Sequence, residues 1–246
     1  MPLTLRFERV TFSYGQFRPS VLREFTWIIP PGRTVLLGPN GAGKSTLLSL
    51  GADAIRPQRG KIQFGQFDPS RSGERSIYRR SIGWMPQEIR AVPGLTVREQ
   101  VAYAGWLKGL PRKSSWDRTP ATLGLVGLQA LADRPASSLS GGELRRLGIA
   151  QTLVHEAKVL LLDEPTAGLD PAQRARFREL LISIAPQCQI VVSTHQVDDL
   201  SELFDTVVVL ARGMIRFAGT VASFLQQAPS SSNGRQAEAA YAAVIG

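Results

Sequence analysis

The segment Gly38-Pro39-Asn40-Gly41-Ala42-Gly43-Lys44-Ser45 constrains this chain more than any other. It satisfies G-x-x-x-x-G-K-[S/T] and lies between the apolar run Thr34–Leu37 and a helix-forming stretch, Lys44–Leu50. Glycines let backbone N–H groups curl around phosphate oxygens, and the following helix adds the positive end of its dipole. In that reading Gly38, Asn40, Gly41, Ala42 and Gly43 form the cradle, with Thr46 in the same phosphate-binding set. Lys44 reaches the β- and γ-phosphates, and Ser45 ligates magnesium. The expected cofactors are therefore a nucleoside triphosphate such as ATP, and Mg2+. Taken alone, the loop fits kinases, GTPases and motors equally well.

A strand must end beneath such a loop, and the rest of the chain supplies its neighbours. Lys158–Leu162, Gln189–Ser193 and Thr206–Leu210 are short, β-branched runs that read as strands buried on both faces, as a parallel sheet requires. Helices fit between them. One opens at Asp170-Pro171, an N-cap followed by proline, and carries Phe177, Leu180, Leu181 and Ile184 on one face. The expected fold class is thus α/β with a mostly parallel sheet. Two regions depart from the alternation: Leu3–Pro30 with Lys61–Phe67 reads as antiparallel strands beside the main sheet, and Val97–His155 reads as helices inserted into the core. Trp106 and Trp116 lie in that insertion, and packing within it is their expected use. Pro229–Gly234 has the composition of a linker, and Glu238–Ile245 has helical propensity, with Tyr241, Val244 and Ile245 as anchors for docking on the chain itself or a partner.

Val159-Leu160-Leu161-Leu162-Asp163-Glu164 is an apolar strand ending in two carboxylates, at the edge where open α/β sheets place ligands. Asp163 can hold magnesium, directly or through water, and Glu164 is the natural general base for an attacking water. Leu139-Ser140-Gly141-Gly142-Glu143 begins another helix, with Ser140 as N-cap and Glu143 at the capping-box position. That helix start is a second anion site. Here the chain resembles the nucleotide-binding subunits of ATP-binding-cassette (ABC) transporters, whose signature segment Leu139–Glu143 matches.

Further elements of that family stand in order: Tyr14 as the adenine-stacking aromatic, Gln87 in Trp84-Met85-Pro86-Gln87, Asp170 in Ala167-Gly168-Leu169-Asp170, and His195 in Ser193-Thr194-His195. The resemblance spans about residues 3–225. It implies a P-loop NTPase core of the RecA-like kind, with an N-terminal antiparallel β subdomain and a helical signature subdomain at about residues 90–155. The cassette would occupy residues 1–228, leaving 229–246 as linker and short helix or tail. It also implies catalytic roles for Lys44, Gln87, Glu164 and His195, and metal contacts from Ser45, Gln87 and Asp163. Gln87 would touch the magnesium or its water, and His195 would donate to the γ-phosphate and orient Glu164. Ser140, Gly141 and Gly142 would serve a nucleotide held by a second subunit, in a head-to-tail dimer of identical or paired ATPases. His155 matches nothing in the family and reads as a surface or packing residue.

Composition fits this picture. No stretch approaches the roughly 18 apolar residues of a membrane span, and the opening Met1–Arg6 alternates like a strand instead of resembling a signal peptide. The single cysteine, Cys188, excludes a disulfide framework and suits a reducing cytoplasm. The net charge of +9 is spread over Arg79-Arg80, Arg145-Arg146 and Arg174/Arg176/Arg178, as solvated helix faces with some capacity to meet phospholipid headgroups or a membrane subunit. The expected partners are integral membrane permease subunits, with the ATPase held at the cytoplasmic face of the membrane and no nucleic acid involved. Arg134–Ser138 lacks the acidic, glycine-bearing segment of fused multidrug exporters, while Gly141–Ala150 and Thr194–Asp199 look like ATPases of bacterial ABC-2-type exporters, so export is expected over import. A soluble cassette ATPase acting on DNA or ribosomes is the alternative. The former needs long coiled coils between Lys44 and Asp163, for which there is no room, and the latter usually carries two cassettes per chain. A non-catalytic regulator would have lost Lys44, Glu164 or His195.

Overall fold

The computed structural model describes residues 3–15, 17–195, 200–229 and 235–246. Its centre is a six-stranded sheet built from β3 (Arg33–Leu37), β5 (Ile82–Met85), β6 (Val159–Asp163), β7 (Gln189–Thr194), β8 (Thr206–Ala211) and β9 (Met214–Thr220). The strand order is β5-β6-β7-β3-β8-β9, parallel throughout except that β9 returns antiparallel to β8. Alternate residues of β3 enter different apolar clusters. Val35 and Leu37 join one that includes Leu160, Leu162 and Val192, and Leu36 joins another with Leu161, Val191 and Val208. Both faces of the strand are thus covered, as the unbroken apolar runs require.

A second sheet, order β2-β1-β4, is antiparallel and consists of β1 (Leu5–Phe12), β2 (Leu22–Ile28) and β4 (Arg59–Phe64). Phe7 stacks on Trp27 there, with ring centroids 6.1 Å apart. Helix α1 (Lys44–Gly51) follows the glycine loop, and its Leu47, Leu48 and Leu50 share the cluster of Phe7 and Phe25. Helix α6 (Pro171–Ile184) is capped by Asp170, whose Oδ1 accepts from the Gln173 amide, and buries the four expected residues Phe177, Leu180, Leu181 and Ile184.

Several elements are absent from the reading of the sequence, three of them instructive. Helix α2 (Ser72–Ser81) is polar and buries only Tyr78. Strand β5 has four residues, one of them Gly83, and β9 is an edge strand with no buried residue. Each lacks the long apolar run that marks a buried strand.

Between β5 and β6 the chain forms α3 (Val97–Leu107), α4 (Arg112–Leu125) and α5 (Gly141–Leu153). Reciprocal capping boxes start α3 (Thr96 with Glu99) and α5 (Ser140 with Glu143). Trp106 and Trp116 stay out of the core, 42% and 40% exposed. The α3–α4 contact explains this: a Cβ on Gly105 would lie 2.3 Å from Ser115 Oγ, so the interface admits only small side chains. The rings instead brace the hairpin from outside, Trp116 under the Arg98 guanidinium at 4.0 Å and Trp106 beside Arg112 at 5.5 Å.

His155 is buried, not on the surface, and burial pushes its pKa down to about 4. The half-buried Cys188 thiol is pushed up to about 11 by burial, which makes it a structural residue. Helix α9 (Gln236–Ile245) packs on α8 (Val221–Leu225), burying Ala240 and laying Tyr241, Val244 and Ile245 on the main core. The expected linker at 230–234 and the stretch 196–199 lie outside the described residues. Among the described residues, no helix is long and apolar enough to cross a membrane.

Candidate active site

Sheet register brings the chemistry to one edge. Leu37 at the end of β3 pairs with Thr194, and Asp163 at the end of β6 pairs with Ser193. The glycine loop leaves β3 at that edge. At Gly38 a Cβ would stand 2.2 Å from the Leu210 carbonyl oxygen, so only glycine lets the loop tuck against β8. Gly43 precedes α1 with φ at +103°, a conformation that turns the chain into the helix and that side-chain-bearing residues avoid.

Lys44 is buried, and its Nζ folds back to donate to the Gly38 oxygen at 2.6 Å and the Pro39 oxygen at 3.3 Å. Burial lowers its pKa, and the carboxylates of Glu164 and Asp163 oppose that shift. A cavity of about 410 Å³ opens above it, lined by Tyr14, Val21, the loop from Pro39 to Thr46, Gln87 and Glu164. Tyr14 is 58% exposed; its ring sits edge-on to Phe12 and its hydroxyl is 3.0 Å from Thr46 Oγ1, which ties the aromatic to the phosphate loop's helix.

The acidic pair is held from β7. Asp163 Oδ1 accepts a short hydrogen bond from Ser193 Oγ. Glu164 adopts φ of +47°, an uncommon conformation for such a residue. Its N–H is kept there by the Ser193 main-chain oxygen and Oγ, both at 3.1 Å. The Glu164 carboxylate then meets His195, with Oε1 3.1 Å from Nδ1. Ser193 is the residue whose role sequence reasoning missed. A serine directly after the apolar run Ile190–Val192, at the end of a strand expected to be buried on both faces, is the available signal.

Ser45, Asp163 and Gln87 offer only hard oxygen donors, which suit Mg2+ better than a soft metal. Among the described residues no cluster of three His, Cys, Asp or Glu side chains could hold an ion unaided. A cation here would share its shell with phosphate oxygens and water.

Ser140, Gly141 and Gly142 do not line this cavity. Ser140 Oγ caps α5, and Glu143 Oε2 accepts from the Ser140 N–H and Oγ, each at 2.8 Å. These hydrogen bonds hold the Glu143 pKa below its ordinary value. Space around Gly141 is open within 4 Å, while Gly142 faces Gln173 of α6.

Comparison with known proteins places these features. Residues 22–167 match the family described as "ABC transporter". The chain is 35% identical over 192 residues to the uncharacterized ABC transporter ATP-binding protein YxlF of Bacillus subtilis, covering 78% of this chain and 63% of that one. It is 33% identical over 208 residues to the molybdenum import ATP-binding protein ModC of Brucella abortus, covering 82% and 57%. The matched region therefore spans less than two thirds of these relatives. Its fold matches the dimeric, post-hydrolysis structure of the ATP-binding cassette MJ0796 bound to ADP and Pi, with a TM-score of 0.78 at 23% identity over 88% of this chain and 98% of that one. A glycine cradle on β3, two carboxylates ending β6 and a capped helix α5, within a segment that matches over more than half the chain, establish that this protein belongs to the ABC transporter family.

Proposed function

We propose that the chain binds ATP with Mg2+ in the cavity over Lys44 and hydrolyses it to ADP and phosphate, powering transport through a separate membrane permease. The observation that carries this reading is the Glu164–His195 pair, 3.1 Å apart, at the lip of a glycine cradle. Lys44 and the loop amides hold the β- and γ-phosphates, and Tyr14 stacks on the base. Ser45, Asp163 and Gln87 would hold Mg2+, which would supply positive charge against that developing on the phosphate oxygens. Glu164 takes a proton from the water whose oxygen bonds to the γ-phosphorus as the bond to the bridging oxygen breaks. With a proton on each ring nitrogen, His195 donates through Nδ1 to orient Glu164 and through Nε2 to the γ-phosphate.

The open α5 start supports a two-subunit site. Ser140, Gly141 and Gly142 stand outside their own chain's cavity, so they serve the nucleotide of a second copy or a paired ATPase, as the dimeric form of MJ0796 suggests. A monomer binds ATP and turns it over poorly. The permease partner is supported by a groove of about 410 Å³ between Asp53, Arg79, Trp84 and Glu88 on one side and Leu107, the last residue of α3, with Lys108 after it on the other. Location at the cytoplasmic face of a membrane and independence from nucleic acid follow from this reading. Export is favoured by Gly141–Ala150, and the import role of ModC is the competing case.

Pull-down from detergent-solubilised membranes, with the ATPase at native level, tests the proposal. Recovery with an integral membrane protein is expected. Consistent recovery with ribosomes or DNA alone rejects it, and uptake against efflux in vesicles of that complex assigns direction.

A further inference from the structure

Helix α5 does more than present Ser140–Gly142. In its second turn Arg145 reaches back, and its Nη1 donates to the main-chain oxygen of Gln87 at 2.9 Å. Three residues on, Gly148 lies against Ile89: a Cβ there would stand 2.7 Å from Ile89 Cδ1 and 2.8 Å from Cγ1. Positions three apart share a helix face. The strap Gln87–Ile89 is therefore keyed to α5 twice, by a charge-assisted hydrogen bond and by the close seating of the Ile89 side chain on Gly148. The Arg145 guanidinium is half-buried and lies within the electrostatic reach of Asp163 and Glu164. It does not line the phosphate cavity.

We infer that Arg145 is a positioning residue that fixes the Gln87 main chain to the signature helix, so that filling of the chain's own phosphate cavity resets the surface offered to the second nucleotide. Gln87 lines the first cavity and Ser140–Gly142 form the second surface, and Arg145 joins the two within one chain. Arginine suits the task because its planar fork reaches a carbonyl while remaining charged beside acidic groups. The inference rests on the two-subunit reading above.

The test uses the full chain. In a Glu164→Gln background, ATP-dependent dimerisation is followed by sedimentation; with native Glu164, kcat and KM are measured alongside nucleotide affinity at low protein concentration. Arg145→Ala is expected to leave single-subunit nucleotide affinity within about twofold, while raising the ATP needed for half-dimerisation and lowering kcat about tenfold, the scale of one charge-assisted hydrogen bond. Arg145→Lys restores part of the loss. Gly148→Ala, which pushes the strap off α5, reproduces it, and adding Ile89→Ala restores function by removing the clashing atoms. This second pair keeps the test decisive if Arg145→Ala folds poorly. Unchanged dimerisation and kcat in both Arg145→Ala and Gly148→Ala overturn the inference while Glu164→Gln still dimerises. So does a loss that follows melting temperature alone, with no recovery by Ile89→Ala. If Glu164→Gln itself fails to dimerise with ATP, the two-subunit reading falls and this inference with it, a distinct result.

Discussion

At the end of β3 the glycine loop is backed by side chains fixed in place: Lys44 is buried on the loop carbonyls, Asp163 and Glu164 are pinned by Ser193, and His195 closes on Glu164. At the start of α5 the other helix N-terminus is open. Its cap is satisfied by Glu143, and Gly141 has nothing within 4 Å of a Cβ. Both ends carry the same partial positive charge of a helix start. They differ in what surrounds it. One is furnished with polar side chains from the ends of β3, β6 and β7, while the other is finished only as a surface. Two unlike helix starts on one chain are what the proposed two-subunit reading requires.

Four variants break or sharpen this contrast, in descending order of effect. Glu164→Gln should lower steady-state hydrolysis by about 10²–10⁴ while keeping nucleotide binding, the scale of a lost general base; unchanged turnover in a phosphate-release assay removes Glu164 from that role. Tyr14→Ala should weaken ATP binding by about 1–3 kcal/mol, with Tyr14→Trp near native, since any aromatic face stacks; calorimetry at low protein concentration decides it, and loss in the tryptophan variant too assigns Tyr14 to its Thr46 hydrogen bond instead. Ser140→Ala should remove about 1 kcal/mol of helix capping and reduce turnover by dimers, yet leave nucleotide binding by single subunits within about twofold. A matching fall in single-subunit affinity merges the two halves and ends the contrast. Trp116→Leu, remote from both, should cost about 0.5–1 kcal/mol in urea melts through its lost Arg98 contact, with kcat unaffected.

Much of this molecule was legible from short stretches. The strands at Thr34, Lys158, Gln189 and Thr206 announced themselves because a strand buried on both faces must be apolar along its whole length. Asp170-Pro171 and Ser140 with Glu143 marked helix starts, since capping satisfies amides within four residues of chain. Short or half-exposed elements were silent. β5 needs only four residues because α5 and α2 pack on it, and β9 needs no apolar face at an edge. Trp106 and Trp116 pack within the insertion as expected but on its outside, because Gly105 and Ser115 close the α3–α4 interface to a large ring.

The sequence by itself determined the phosphate cradle, the acidic end of β6 and the capped start of α5, because each depends on backbone conformation and hydrogen bonds among residues close along the chain. Tertiary structure alone decided how they combine. Parallel-sheet register sets Ser193 beside Asp163 and His195 beside Glu164. Packing of α5 against the strap turns Arg145 towards Gln87 and leaves Ser140 outside its own chain's cavity. Such contacts join residues far apart in the chain, and their geometry follows from how whole elements bury apolar surface, which no local pattern encodes.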